Sequence, residues 1–224
     1  MFEMFTAGLC GFIMSCSTLT SSANSYPSEW WKPVPDGEVA SWEIPPQAAD
    51  PQKNEVILSK RTELGILSNL AATPFVLDGK SYASIEGLWQ SLKYPEGADD
   101  PRLQDPQVKW NFTREQVMQM SSFEAKHAGD HANDNMTKLN ITWVSYQGHH
   151  FEPKTSGQQE HYDLIYRASV AKVEQNSNVK EILRKTGDLK LLPDHFGKPT
   201  DTPAYKYCDI YMKIREGLSG SPKN

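Results

Sequence analysis

The strongest constraint on the fold is an Asp-Gly pair that stands between two short β-prone segments. Phe75–Leu77 precedes Asp78 and Gly79, and Lys80–Tyr82 follows them. The two central residues of a tight type I′ turn need positive φ angles, which Asp and Gly tolerate at little steric cost. The sequence therefore predicts a β-hairpin closed by a two-residue turn at this position.

A helix is predicted directly after this hairpin. Ser84 is a suitable N-cap, and Pro95 stops a helix that runs to about Tyr94. Four apolar side chains recur at helical spacing and form the face that is expected in the core: Ile85, Leu88, Trp89 and Leu92. Three polar side chains form a separate stripe on this helix: Glu86, Gln90 and Lys93.

The rest of the chain predicts an α+β fold, a mostly helical single domain with a small β-hairpin or sheet. The hydrophobic fraction of 38% and the charged fraction of 23% are ordinary for a globular protein. Capping boxes predict helices after Thr113 and after Ser121, the second ending near Gly129. Further predictions are a strand at Val56–Leu58, a strand at Ile141–Tyr146, a polar loop at Gln147–Gln159, a helix that ends at Gly187 and a final helix with an apolar stripe from Tyr207 to Leu218.

Four segments are expected along the chain. They are a leader at 1–25, a Pro- and Trp-rich strap or linker at 26–55, the folded domain at 56–218 and a flexible tail at 219–224. Repeated prolines exclude regular helix from the strap. Exposed indoles would form a sticky patch, so part of the strap is expected to pack on the domain.

The leader indicates export, to the periplasm or the medium. Met4–Leu19 is apolar or small and uncharged, but shorter than the roughly 20 residues that span a bilayer. Ala23–Ser25 suits ordinary signal peptidase, whereas Cys16 ends a loose lipobox and would then be lipidated and anchor the protein to a membrane. The first residues lack the Lys or Arg that normally precedes the apolar segment of an export signal. Two alternatives are therefore a buried N-terminal helix and a misplaced start codon, and the latter would imply a cytoplasmic protein.

The polar stripe on the helix after the hairpin is open to two interpretations. The default interpretation of such a stripe is a solvent-exposed helix face whose polar side chains pair weakly with one another. Glu86, however, falls in the first turn, where free backbone N–H groups and the helix dipole favour a carboxylate. A fixed carboxylate there could activate water or stabilise an oxocarbenium-like sugar. Lys93 could hold a phosphate or carboxylate, or act as an amine nucleophile towards an opened sugar.

The residues of this region resemble the signature of the NADAR family. The matching segments are Gly65–Leu70, Pro74–Tyr82, Ser84–Glu86, Trp89-Gln90 and Lys93, and the resemblance extends more weakly over about Val56–Leu218. It implies hydrolysis of N-glycosidic bonds; known activities of the family include cleaving riboflavin-biosynthesis intermediates and removing ADP-ribose from guanine bases.

The resemblance also implies roles for individual residues. Glu86 and Lys93 take the places of the catalytic glutamate and lysine, and Asn69 and Gln90 would contact the substrate. Trp89 stands where the family has Tyr or Phe, and serves either core packing or base stacking. The family's loop before the last helix is altered here; Asp194 and His195 either supply equivalent polar groups or are incidental.

Other signals exclude several classes of function. The net charge of −5 argues against binding nucleic acid by bulk electrostatics, but leaves room for a small anionic, nucleotide-like ligand. The cysteines form no CxxC pair, Cys208 is expected to be buried, and His149-His150 is expected in a surface loop, so neither a metal site nor a cofactor is predicted. The main hypothesis is a hydrolase of ribosyl or ADP-ribosyl compounds. The alternatives are a non-catalytic ADP-ribose-binding module and a secreted interaction protein that binds through the strap.

Overall fold

The computed structural model describes residues 26–39, 41, 43–195 and 202–219, and the fold is given for these residues. Predictions on the leader 1–25 with Cys16 and Ala23–Ser25, on 196–201 and on 220–224 lie outside the described residues.

The described residues form six short strands and six α-helices. The strands are β1 (Glu55–Ile57), β2 (Phe75–Leu77), β3 (Lys80–Tyr82), β4 (Val144–Tyr146), β5 (His149–Phe151) and β6 (Lys190–Leu192). The helices are α1 (Ile85–Ser91), α2 (Arg114–Met118), α3 (Ser122–Lys138), α4 (Gln158–Gln175), α5 (Ser177–Lys185) and α6 (Tyr207–Ser219). The predicted α+β class is confirmed.

The hairpin that constrains the fold is formed as predicted. β2 and β3 pair antiparallel, and the turn residues Asp78 and Gly79 have φ angles of 49° and 78°. The outer edge of β2 is covered by the carboxamide of Gln175, which donates to the carbonyl of Val76 and accepts from its N–H, both at 2.8 Å. This cover satisfies backbone groups that an open edge strand would offer to another chain.

Two pairings of strands were not predicted. β4, which lies within the strand predicted at Ile141–Tyr146, forms a second hairpin with β5, which lies in the predicted polar loop. The turn residues Gln147 and Gly148 also have positive φ angles, 50° and 78°. The first turn residue is Gln rather than Asn or Asp, so the sequence signal was weak. β1 and β6 pair in parallel across more than a hundred residues, which local patterns do not reveal.

Two predicted helix ends were wrong. α3 does not end near Gly129 but continues to Lys138, and the predicted cap Ser121 makes no side-chain capping bond. α1 ends at Ser91 rather than at Tyr94. The capping box of Thr113 with Gln116 and the left-handed Gly187, with φ of 54°, are confirmed.

The first part of the strap packs on the domain. The Trp30 side chain is 4% exposed and its Nε1 donates to Glu63 at 3.2 Å. The Nε1 atom of Trp31 donates to the carbonyl of Glu55 at 2.7 Å, and Tyr26 donates to Asp188 at 2.6 Å. These contacts tie the strap to β1 and to the turn after α5.

The core is one large apolar cluster, which α1, α4, α5 and α6 each join through at least two buried side chains and α2 and α3 through one each; a smaller cluster lies between α2 and α3. Cys208 of α6 is buried and free, as predicted. No helix among the described residues is long and apolar enough to cross a membrane.

Close packing of α1 on the turn after α2 gives a testable prediction. A Cβ atom on Gly87 would lie 2.4 Å from the carbonyl oxygen of Met120 and 3.0 Å from that of Val117. Backbone cannot move away as a side chain can, so Gly87→Ala is expected to lower the free energy of unfolding by about 1–3 kcal/mol in denaturant titrations. Gly217→Ala is the control, because that glycine is also helical but has open space around its Cβ position. Equal stability of the two variants would contradict the prediction.

Candidate functional site

The start of α1 is fixed by hydrogen bonds from three sides. The Ser84 hydroxyl accepts from the N–H of Gly87 at 2.8 Å and donates to the carbonyl of Met120 at 2.9 Å. The N–H of Glu86 donates to the carbonyl of Asn69 at 2.9 Å. Glu86 is therefore held in the first helical turn beside Asn69. The Oδ1 atom of Asn69 is buried without a hydrogen-bond partner among the described residues.

The carboxylate of Glu86 is oriented by Gln90. The Nε2 atom of Gln90 donates to Glu86 Oε1 at 2.7 Å, and Gln90 is 7% exposed. Gln90 fits only because α3 carries a glycine opposite it: a Cβ atom on Gly129 would lie 1.8 Å from Gln90 Oε1. That Oε1 atom is also buried and unpaired within the described part of the chain.

Lys93 is a buried cation without an anionic partner. It lies in the turn directly after α1, is 7% exposed, and its Nζ is 5.3 Å from the centroid of the Trp89 ring. Its ammonium group makes no hydrogen bond or ion pair with a described residue. Burial lowers the pKa of Lys93 to about 8, although the charge of Glu86 acts in the opposite direction. The polar stripe is thus enclosed rather than solvated, because tertiary packing covers two of its three side chains.

Aromatic rings form one wall of this site. The Trp89 ring stacks on His161 with a centroid distance of 4.1 Å, and the edge of Tyr205 meets His161 at 5.3 Å. Trp89 is 9% exposed, which favours the packing role over base stacking. Burial, aided by the charge of Lys93, lowers the pKa of His161 to about 4 against the effect of the Pro153 backbone, so the imidazole is neutral near pH 7.

The end of α1 is held by two buried guanidinium groups. Arg102 and Arg114 both donate to the carbonyl of Leu92, at 3.0 and 3.2 Å, and both donate to the hydroxyl of Ser145 at 2.6 Å. Arg114 also donates to the carbonyl of Tyr94 at 2.6 Å. Cations at the C-terminal end of a helix complement its dipole. The two clamped carbonyls flank Lys93 in sequence, so its backbone is fixed.

A second buried lysine supports the loop beside Glu86. Lys172 of α4 is fully buried and donates to the carbonyl of Ser68 at 2.8 Å. Burial lowers its pKa to about 7. Ser68 directly precedes Asn69, whose carbonyl accepts from the N–H of Glu86. Lys172 therefore fixes the loop that supplies this acceptor.

The structure brings together five of the seven site residues that the sequence singled out. Asn69, Glu86, Trp89, Gln90 and Lys93 form one group, which we name the α1 site. Among the described residues, no hydrogen bond, ion pair or ring contact connects Asp194 or His195 with this group. Instead the carbonyl of Asp194 accepts from the N–H of Gln47 of the strap at 2.9 Å, and its carboxylate lies 3.6 Å from His195.

Four residues that contact or support the α1 site were not predicted from the sequence: Arg102, Arg114, His161 and Lys172. His161 and Lys172 lie on the buried side of α4, which local spacing in the sequence did not indicate for either residue. In the described part of the chain, no group of three or more His, Cys, Asp or Glu is placed to hold a metal ion. His149 and His150 are exposed on β5 rather than in a loop.

A family model described as bacteriophage protein GP30.3 matches residues 61–215, which include all of the α1 site. The chain belongs to the bacteriophage protein GP30.3 family. Among solved structures, it is similar to the NMR structure of the E. coli protein YbiA, with 20% identity over 75% of this chain and 86% of that chain and a TM-score of 0.46. No curated protein matches the chain.

The contact between Gly129 and Gln90 can be tested directly in this member of the family. In Gly129→Ala the new methyl group must displace the flexible end of Gln90, which breaks the hydrogen bond to Glu86. The side-chain amide signal of Gln90, assigned by its loss in Gln90→Glu, is expected to move in the NMR spectrum. In Gly217→Ala it should stay in place. An unmoved signal in Gly129→Ala would contradict the packing of α1 on α3 described above.

The burial of Lys93 predicts a stability cost that depends on pH. Unfolded Lys93 keeps its proton up to about pH 10.5, whereas the folded chain releases it at about pH 8. The unfolded state binds more protons between these values, so the contribution of Lys93 to stability rises with pH from about 8 to 10.5. Lys93→Met removes the buried charge and is expected to raise the free energy of unfolding at pH 7 by about 1–3 kcal/mol.

The same variant should lose stability relative to the natural chain as the pH approaches 10.5. The control is Lys138→Met, which changes an exposed lysine at the end of α3. Denaturant titrations at pH 7 and pH 10 measure both variants, and a destabilised Lys93→Met at pH 7 would show that the ammonium group has a favourable partner.

Proposed function

We propose that the protein is a hydrolase that cleaves an N-glycosidic bond of a ribosyl or ADP-ribosyl compound at the α1 site. The observation that carries the proposal is the pairing of a fixed, half-buried carboxylate with an unpartnered buried ammonium group. Glu86 and Lys93 meet this description, and their setting matches the residues that resemble the NADAR signature. Unpartnered buried charges are costly, and they are typical of sites that bind or transform a ligand.

In the reaction, the bond between C1 of the ribose and the nitrogen of the base breaks, and its electron pair leaves with the base. Glu86 stabilises the positive charge that develops on the sugar and accepts a proton from the attacking water, whose oxygen bonds to C1. The departing base nitrogen takes up one proton from solvent, and Glu86 later releases the proton that it accepted, so that the net reaction adds one water across the bond. The carboxylate needs a fixed orientation for this role, and Gln90 at 2.7 Å supplies it.

Two further polar groups face the region around Glu86. The unpaired Oδ1 atom of Asn69 can accept a hydrogen bond from a ribose hydroxyl. Lys93 can hold an anionic group of the substrate, or attack the opened sugar with its amine, since burial keeps a larger neutral fraction than an exposed lysine has.

The second candidate function is a module that binds the same kind of ligand without turnover. The observation that favours it concerns Asp194 and His195, one of whose two predicted roles was to supply polar groups to the site: Asp194 bonds to Gln47 of the strap and lies 3.6 Å from His195 instead. Binding without hydrolysis needs only the anchoring groups of the α1 site. The strap as a partner-binding surface is less favoured, because the Trp30 indole is turned into the chain's own core.

Glu86→Gln separates hydrolysis from binding. The amide oxygen of Gln keeps an acceptor for Gln90 but carries no negative charge. Incubation with ADP-ribosylated guanosine, NAD and ribosylaminouracil compounds, followed by mass spectrometry, should show turnover by the natural chain. Glu86→Gln should reduce it by about 100- to 10,000-fold and keep substrate binding.

Glu115→Gln is the matched control, because Glu115 is also an acidic residue in a first helical turn but is exposed on α2. Its activity should equal that of the natural chain. Absence of turnover for all three substrates would refute the hydrolase, and binding that persists in that case would favour the module.

A further inference from the structure

A second cleft lies between the strap and the start of the domain. Its volume is about 710 Å³, and it is bounded by strap residues between 29 and 49 and by the segment 57–62. The α1 site contributes none of the described residues that line it. Clefts of about 300–1,000 Å³ are of the size that receives small ligands. Many of the lining side chains are apolar, among them Val34, Val39, Pro45, Pro46, Ala49 and Ile57.

An ion cluster beside this cleft joins the strap to the domain. The Glu43 side chain of the strap is 7% exposed, and its Oε1 atom lies 2.6 Å from Lys60 Nζ. The Nη2 atom of Arg61 donates to both carboxylate oxygens of Glu43 at 2.9 Å. Both cations lie in the turn after β1. The guanidinium group of Arg61, which lines the cleft, is therefore held in a fixed position.

Arg61 keeps one nitrogen without a partner. Its contacts with Glu43 use Nη2 alone, and Nη1 is buried with no hydrogen-bond partner among the described residues. No other arginine of the described ranges has such an atom. A buried donor that is left unpaired costs folding free energy, and guanidinium N–H groups are suited to carboxylate oxygens. Arg61 Nη1 is therefore the group in this cleft that a ligand acceptor would satisfy.

The charges around the cleft favour an anion. Glu29, Lys32, Glu43 and Arg61 line it, and Lys60 pairs with Glu43. Three cations and two anions leave one net positive charge in a chain whose net charge is −5. A ligand with a single negative charge would balance this excess, and the apolar part of the wall favours a ligand whose body is apolar.

We propose that this cleft is a second ligand site, which binds a small apolar carboxylate such as an aromatic acid. The carboxylate of the ligand accepts from Arg61 Nη1, and its apolar body packs against the Val and Pro side chains of the strap. The ligand contacts both the strap and the domain, so its binding also stabilises the packing of the strap. Neither Glu86 nor Lys93 takes part, and the inference is independent of the proposed hydrolase.

The test measures binding of naphthoate, naphthamide and acetate to the full chain by calorimetry. Naphthamide has the apolar body without the charge, and acetate has the charge without the apolar body. Naphthoate should bind at least about tenfold more tightly than either, because only naphthoate combines a charge-assisted hydrogen bond with apolar burial. Equal affinity for naphthoate and naphthamide would overturn the proposal.

Two variants locate the ligand. Arg61→Lys keeps a positive charge beside Glu43 but removes Nη1, and should weaken naphthoate by about fivefold or more. Ala49→Trp fills the cleft and should abolish the binding of naphthoate. Arg184→Lys is the matched control, because Arg184 is an exposed arginine of α5, and its affinity should equal that of the natural chain.

Lys93→Met separates this cleft from the α1 site and should leave the affinity for naphthoate unchanged. An unchanged affinity in Arg61→Lys, or a loss of affinity in Lys93→Met, would overturn the proposal. Selective binding of naphthoate that depends on Arg61 would support the second site whether or not the chain hydrolyses N-glycosides.

Discussion

Two buried guanidinium groups, Arg102 and Arg114, bind the backbone carbonyls that directly follow α1, and the rest of the site is built on that helix. They are 0% and 4% exposed and meet at the Ser145 hydroxyl, so β4 is tied to the same point. Asp100 accepts from Arg102 at 2.7 Å and a carboxylate oxygen of Glu96 lies 3.7 Å from Arg114, so each of the two charges has an anionic partner. Removing either arginine would leave buried carbonyls unsatisfied and the partner charges uncompensated. The short helix therefore has a fixed end as well as a fixed start, and the side chains on it have fixed directions.

Buried polar and charged side chains that cost folding free energy lie around this helix. Lys93 is buried without a partner, Lys172 is fully buried with one hydrogen bond to Ser68, and Gln90 keeps an unpaired oxygen. A core built for stability alone would hold apolar side chains at these positions. Elsewhere, Ser169 of α4 and Thr186 after α5 bond to nearby carbonyls, whereas Thr202 and Tyr211 also keep unpaired hydroxyls in the described part of the chain. Beside Glu86, however, two unpaired amide oxygens and an ammonium group lie around one carboxylate, and this grouping is the reason for proposing a ligand site at α1.

Local chemistry in the sequence determined the hairpin at Asp78-Gly79, the cap at Ser84 and the inward face of α1, because turn angles and capping bonds involve residues close in the chain. It also selected Asn69, Glu86, Gln90 and Lys93. The tertiary structure decided that α1 stops at Ser91: the N–H groups of Lys93 and Tyr94 bond three residues back, to Gln90 and Ser91, and the two arginines take the carbonyls that follow the helix. It enclosed Gln90 and Lys93 instead of leaving them solvated, left Asp194 bonded to the strap, and added His161 and Lys172 to the surroundings of the site. Each of these outcomes depends on contacts between residues far apart in the chain, which spacing and composition do not encode.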